Sequence, residues 1–244
     1  METLACIKRV ADTGAEIVLT EDKQSVDGSA VGYTMGPHEE CAVEEAVQVV
    51  EEEGGNSTVL SLGPEETEEQ IYEGIGRGAD DGVLLETDGE DWGPESTATA
   101  IADAVEADLE EFDLLFFGNE SGDNANFQVG IRVAHQLDLP VVTGAKDFEL
   151  DGETPGGSEV FEVDLPAVVT VKEGLNTPRY PSMRSRMQAK KQEIETIDPT
   201  ETEDRLQMQE LITPEAEDSE AEVLGEGPEA VDDAIEVMEE LEVL

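Results

Sequence analysis

The sequence predicts an α/β fold: a doubly wound, mostly parallel, Rossmann-like sheet with a C-terminal arm. Three observations carry that expectation. Aromatic residues make up only 4% of the 244 residues and charged residues 31%, which leaves Val, Ile, Leu and Ala to build the core. Short apolar runs recur along the chain, as parallel strands buried on both faces require. Between the runs lie amphipathic stretches long enough to be helical crossovers, and strands joined in that way wind right-handed into a doubly wound sheet. The length suits one large domain, or one domain with an appendage, and is enough to bury a real core.

The first expected strand is "TLACIKRV", beginning at Thr3. "HEECAVEEAVQVVEEEGG" follows as a helix, because Ala42, Val43, Ala46, Val47 and Val50 recur at helical spacing and Gly54 and Gly55 supply the stop. "STVLSLG", "DGVLLE" and "FDLLFFG" are the next strands, separated by helices in "PEETEEQIYEGIGRGA" and "PESTATAIADAVEADLEE". A fourth helix is expected over about Asn124 to Leu137, leading into "LPVVTGAKDFEL". "DGETPGGSEVFEV" then reads as a hairpin with a Gly-rich turn, and "LPAVVTVKEG" as a strand ending at a basic loop. The organisation predicted is a nucleotide-binding α/β domain over residues 1–197 and an acidic arm over 198–244. From Glu201 to Leu244 the arm has 17 acidic residues and one basic one, Arg205. It also carries Ala230, Ala234, Ile235, Met238 and Leu241 on a helical stripe, suited either to a partner chain or to packing on its own domain.

The formal net charge is -49. At low ionic strength such self-repulsion weakens a compact state, whereas at molar salt the Debye length falls to about 3 Å and the carboxylates become screened. The surface is therefore expected to suit a salt-saturated cytoplasm, that of a halophile. A disordered acidic chain would lack the aliphatic content and the periodicity present here. Nucleic acid is disfavoured as a partner, since the field repels phosphate. Cys6 and Cys41 stand in unrelated contexts and form neither a disulfide framework nor a CxxC metal site, which fits a reducing compartment. The start "METLACIKRVADTG" has no basic n-region and no apolar h-region. No apolar run approaches the ~18 residues of a membrane span, so a cytoplasmic location is expected. Against this acidity one stretch stands apart. Between Val171 and Lys191 lie Lys172, Arg179, Arg184, Arg186, Lys190 and Lys191, six of the chain's 13 Lys and Arg, opposed only by Glu173.

The sequence has no GxxxxGK[ST], GxGxxG, HExxH or GxSxG pattern, and no catalytic constellation stands out. His38 falls at a helix start and His135 inside a helix, positions where a lone histidine is usually a capping or surface residue. Doubly wound folds bind ligands in the loops at the C-terminal ends of their strands. Those loops are "CIKRVADT", "SLGPEE" and "FFGNESGDNANFQVG". The last has Gly118 and Gly122 for close backbone approach, Asn119, Asp123, Asn124 and Asn126 for hydrogen bonds, and a helix N-terminus able to hold a phosphate. It suits an adenine nucleotide, and it also reads as an ordinary polar strand-to-helix connection.

"CIKRVADT", "GPHEECAVEEA", "SLGPEETEEQIYEGIGRGAD" and "LPAVVTVKEGLNTPRYPSMRSRMQAKK" resemble, in the same order, the landmarks of the electron transfer flavoprotein beta subunit family, also called FixA. The resemblance spans about residues 4–197 and implies an adenine nucleotide alpha hydrolase-like fold. It implies an electron-carrier subunit, not an enzyme in its own right, in a heterodimer whose alpha subunit carries the redox-active FAD. The beta chain would form a platform for that shared FAD and bind a second nucleotide, AMP in most members and a second FAD in bifurcating ones. Electrons would arrive from donor dehydrogenases and leave for a membrane quinone oxidoreductase.

Carried over by position, the resemblance implies a cofactor-binding set of Cys6, Asp12, Gly36, Pro37, His38, Glu39, Leu62, Gly63, Gly118, Asn119, Gly122, Asp123, Asn124, Asn126, Gln128 and Val129. Many members begin the first helix with Asn-Pro, where this chain has Gly36-Pro37. That removes one side-chain hydrogen bond to the ligand or replaces it with backbone. "DNANFQVG" matches neither the AMP pattern nor the bifurcating pattern, so the nucleotide stays open. Residues 179–188 correspond to the family's recognition loop for partner dehydrogenases. Met183 stands at the apolar anchor position where members usually have Leu, with Arg179, Tyr180, Arg184 and Arg186 around it. Arg179, Lys190 and Lys191 are also open to a structural role, pairing with the acidic body or facing a phosphate. The alternative from another class is a stand-alone adenine-nucleotide-binding protein of the universal-stress type, sharing the fold without redox.

Overall fold

The computed structural model describes the chain apart from residues 13, 15–16, 30, 90–91, 108, 110, 147–159, 204, 207, 214–226, 232–234, 236 and 239–244. Seven strands form the central sheet: β1 (Glu2–Ile7), β4 (Asn56–Gly63), β5 (Asp81–Glu86), β6 (Leu114–Gly118), β7 (Val141–Ala145), β8 (Ala167–Val171) and β9 (Glu195–Ile197). Their order is β7-β8-β6-β1-β4-β5-β9, and every neighbouring pair is parallel. Five helices connect them: α1 (Pro37–Glu53), α2 (Glu68–Arg77), α3 (Pro94–Ala107), α4 (Val129–Gln136) and α5 (Met183–Ala189).

Alternation along the strands feeds two core layers. Ala5, Ile7, Val59 and Phe116 face Ala42, Val43, Ala46 and Val47 of α1. Leu4, Cys6, Leu60 and Phe117 face Ala98 and Ile101 of α3 and Val133 of α4. A smaller cluster of Ile71, Ile75, Leu84, Ala189 and Ile194 packs α2 and α5 on the first of these faces. Helices thus cover both faces of a parallel sheet, the expected doubly wound arrangement. In the central sheet β1, β4, β5, β6 and β8 each carry a run of at least four buried residues, which is why the apolar runs mark them. The C-terminal stop of α1 is as expected: Gly54 takes φ +77° and its N–H donates to the Val50 carbonyl.

Several expectations are corrected. The first strand does not run through "TLACIKRV". The main-sheet strand stops at Ile7, and β2 (Arg9–Ala11) turns away to pair antiparallel with β3 (Tyr33–Met35), where Arg9 lies over the Tyr33 ring at 3.4 Å. The fourth helix begins at Val129, not near Asn124. Asp123 Oδ1 accepts from the Asn124 N–H, and Ala125 and Phe127 take positive φ, so local side-chain bonding and left-handed backbone win over helix. The expected hairpin lies mostly outside the described residues, and 160–164 form no strand. The edge strand β9 was not anticipated.

The chain divides into two compact units, Met1–Glu210 and Leu211–Leu244. In the second, Val231, Ile235 and Met238 are helical and exposed, while Ala234 and Leu241 of the expected stripe lie outside the described residues. No helix among the described residues is long and apolar enough to cross a membrane.

Candidate functional site

The strand order reverses between β1 and β6. From β1 the chain crosses to β4 and β5 on one side, and from β5 it crosses back to β6 on the other. Loops leaving the C-terminal ends of these two strands diverge there and open the crevice in which doubly wound folds place ligands. An open cleft of about 280 Å³ lies at this point, bounded by Val10, Asp12, Met35, Gly36, Glu40 and Gly122 among others. The structure therefore brings three separated groups of predicted residues to one place: the end of the first loop, the start of α1 and the loop after β6. Leu62 and Gly63 end β4, the strand next to β1, at the same C-terminal end of the parallel strands.

The start of α1 supplies the unusual chemistry. Gly36 caps the helix without a side-chain bond, and Pro37 occupies the first turn. Glu39 is buried beneath Gly118, where an added Cβ would lie 2.9 Å from its carboxyl carbon, so close packing requires glycine at 118. Burial pushes the Glu39 carboxyl up to about 7, and neighbouring Asp123 adds to the effect. Its Oε2 has no protein partner, nor does the buried Nδ1 of His38. His38 Nε2 stands 3.9 Å from Glu120 Oε1. Lys8, just past β1, donates to Asp123 at 2.6 Å. Burial opposes ionisation of Asp123, but the Lys8 ammonium and local hydrogen bonds outweigh it and hold the carboxyl below its usual range.

Other predicted residues are placed differently. Cys6 points into the core layer shared with α3 and α4, and burial pushes its thiol far up, which keeps it neutral. Asn119 is engaged at the sheet end: its Oδ1 accepts from Thr170 Oγ1, whose oxygen in turn accepts the Gly144 N–H. Gln128 precedes Val129 at the start of α4 but does not cap it with its side chain, which instead accepts from Arg132 at 3.0 and 3.1 Å. Gly122 has nothing nearer than Val10 to an added Cβ, and Asn124 and Asn126 are exposed. Asp12 is exposed and accepts from the Gly14 N–H.

The residues present fit an adenine nucleotide. Two orphaned buried polar atoms at the first turn of α1 and the backbone of the Gly118–Gly122 loop suit a base and ribose. Lys8 and the side-chain-uncapped N-terminus of α4 suit a phosphate. Sequence reasoning passed over Lys8, Glu40 and Met35; a lone cation immediately after the strand at the switch point was the available signal for Lys8.

The basic loop is a second candidate site, and its base is clamped to α1. Asn176 Nδ2 donates to the Cys41 carbonyl and to Glu45. Arg179 gives its backbone N–H to Glu44 at 2.8 Å, and its guanidinium bonds both Glu44 and Glu51. Burial works against ionisation of Glu44, yet these bonds and one from Gln48 hold its carboxyl below the usual range. Arg179 thus faces inward. Beyond it Tyr180, Met183 and Met187 are 80%, 76% and 60% exposed, the last two one turn apart on α5. Arg186 lies 4.8 Å from the centroid of the Tyr180 ring, and Arg184, Lys190 and Lys191 are exposed. Met187, not singled out from sequence, stands at the i,i+4 position from Met183 and was findable by that spacing.

The family model for the electron transfer flavoprotein domain matches residues 25–202. The chain is similar to the electron transfer flavoprotein subunit beta of Bacillus subtilis (strain 168), 32% identical over 205 residues, covering 81% of this chain and 79% of the relative. It is 34% identical over 213 residues to the subunit of the same name from Megasphaera elsdenii, covering 81% and 78%. With that from Mus musculus it shares 36% identity over 208 residues, covering 81% of each.

Proposed function

This chain belongs to the electron transfer flavoprotein family, and we propose that it is the beta subunit of a heterodimeric electron carrier, docking donor dehydrogenases and passing electrons toward a quinone-linked acceptor. An alpha subunit would carry the redox-active FAD, which when bound takes up electrons from a donor and gives them to an acceptor. This chain's own residues do the holding. Gly122 lets the backbone approach a nucleotide, AMP or a second FAD, while His38, Glu39 and Lys8 offer polar partners. Glu39, with its carboxyl pushed up to about 7, is partly neutral near neutral pH, which lowers its repulsion of a phosphate.

The observation that carries the reading is the exposed Tyr180–Met183–Met187 patch raised on a clamped base. Exposed apolar side chains on a positioned loop mark a binding surface, and a stand-alone nucleotide-binding protein has no use for one. The test is to co-express the chain with its alpha subunit, purify the complex, and count flavin and AMP after acid release. A yellow heterodimer is expected: one FAD with AMP means simple transfer, two FAD permit bifurcation. A colourless monomer, or flavin-dependent turnover by this chain alone, overturns the proposal. Met183→Ala in the complex should slow transfer from a donor dehydrogenase with flavin content and melting temperature unchanged.

A further inference from the structure

The backbone of the basic loop rests on a residue that neither the composition nor the resemblance singles out. Arg77 ends α2 and is 4% exposed. One guanidinium nitrogen donates to the carbonyl oxygen of Arg179 at 3.1 Å; the other donates to Glu40 and, at 2.9 Å, to Glu73 one turn earlier. Glu40 is also a wall of the crevice. One rigid fork therefore touches the crevice, α2 and the first residue of the docking loop. Methionine or leucine would fill this place without desolvating a cation, so packing alone does not account for a buried arginine. The surroundings leave little slack: a Cβ on neighbouring Gly76 would lie 3.4 Å from Pro181 and 3.7 Å from the Arg186 backbone, so the loop and α5 lie directly on the last turn of α2.

We propose that Arg77 is a positioning residue, holding the basic loop in place through the Arg179 carbonyl and tying that position to the crevice wall through Glu40. The consequence for donor docking rests on the functional reading above; the consequence for the loop itself does not. Lysine at 77 keeps the charge but lacks the fork that reaches the carbonyl and two carboxylates together.

The test uses the assembled flavoprotein with Arg77→Lys and Arg77→Met. Trypsin cleavage at the exposed loop sites Arg184, Lys190 and Lys191, assigned by mass, reports local opening of the loop. It should quicken about tenfold, the worth of one charge-assisted hydrogen bond. The KM for the donor dehydrogenase should rise several-fold with kcat and flavin content unchanged. Cleavage at the wild-type rate in both Arg77 variants overturns the proposal. So does acceleration spread equally over all sites with a lowered melting temperature in Arg77→Lys, since Arg77 would then serve general stability. If Met183→Ala in parallel leaves the donor KM unchanged, the docking reading falls and the cleavage rates alone decide the role of Arg77.

Discussion

Removing the Arg179 side chain separates the two ends of the clamp on α1. In Arg179→Ala the Glu51 half is a minor loss: that carboxylate is 57% exposed, and exposed pairs contribute about 0–1 kcal/mol. The Glu44 half matters more, because the Glu44 side chain is only 4% exposed and an unpaired buried charge costs about 3–5 kcal/mol. Glu44 would still accept from the backbone N–H at 179 and from Gln48 at 2.7 Å, so it is not stripped bare. The expected loss is about 2–3 kcal/mol. For a unit the size of Met1–Glu210 that corresponds to a melting temperature lower by about 5–10 °C. Thermal melts followed by circular dichroism, in molar salt to suppress exposed pairs, provide the assay, with Glu51→Gln as a control expected to cost under about 1 kcal/mol. The fold holds the Glu44 carboxyl below its unfolded value, so its contribution is present above the ordinary carboxylate range and lost as pH falls through the folded value. The gap between wild type and variant should therefore narrow in acid. An Arg179→Ala protein that melts with the wild type at neutral pH would show that Arg179 is solvated and the clamp absent.

Two further outcomes are expected. Glu39→Gln should raise stability at pH 8 and change little near pH 4: burial lifts the folded carboxyl from 4.5 to about 7, so the wild type loses stability as pH rises across that window, by about 3 kcal/mol in full. A difference that does not vary with pH would mean Glu39 is solvated. The melting temperature of the wild type should climb steeply from about 0.1 M to about 3 M potassium chloride, because -49 charges repel one another wherever they are unscreened; a flat profile would show that charge does not control stability.

The sheet was legible because parallel strands are buried on both faces and so read as unbroken apolar runs, such as Leu114–Gly118. Its exceptions have local causes: the chain leaves the main sheet after Ile7, and Asp123 competes with the backbone before α4. The crevice was legible in outline, since the loops at the C-terminal strand ends follow from the apolar runs, and Gly36, Glu39 and Gly118 do converge. What could not be read was which carboxylates matter. In α1 the helical period marks Ala42, Val43, Ala46 and Val47 as the core face and assigns every glutamate to solvent, yet Glu39, Glu44 and Glu45 are buried. The partners of Glu45 and Glu44, Asn176 and Arg179, lie more than 130 residues away, a pairing that only the folded chain reveals.

The basic stretch thus divides into parts with different physics. Arg179 turns inward and serves the fold, and Arg186 stacks on Tyr180. Arg184, Lys190 and Lys191 remain outward. At molar salt the Debye length is about 3 Å, so there these charges would not steer a partner from a distance and would act only in contact. Apolar burial is not screened; in the docking role proposed above, Tyr180, Met183 and Met187 would then supply most of the binding energy, with the cations selecting an acidic rim once contact is made. Charge-removing substitutions at 184, 190 and 191 should accordingly change donor affinity less in molar salt than Met183→Ala does, and the order should narrow as salt is lowered. If the charge substitutions dominate at every salt concentration, the cluster is an electrostatic site and the methionines are incidental to it.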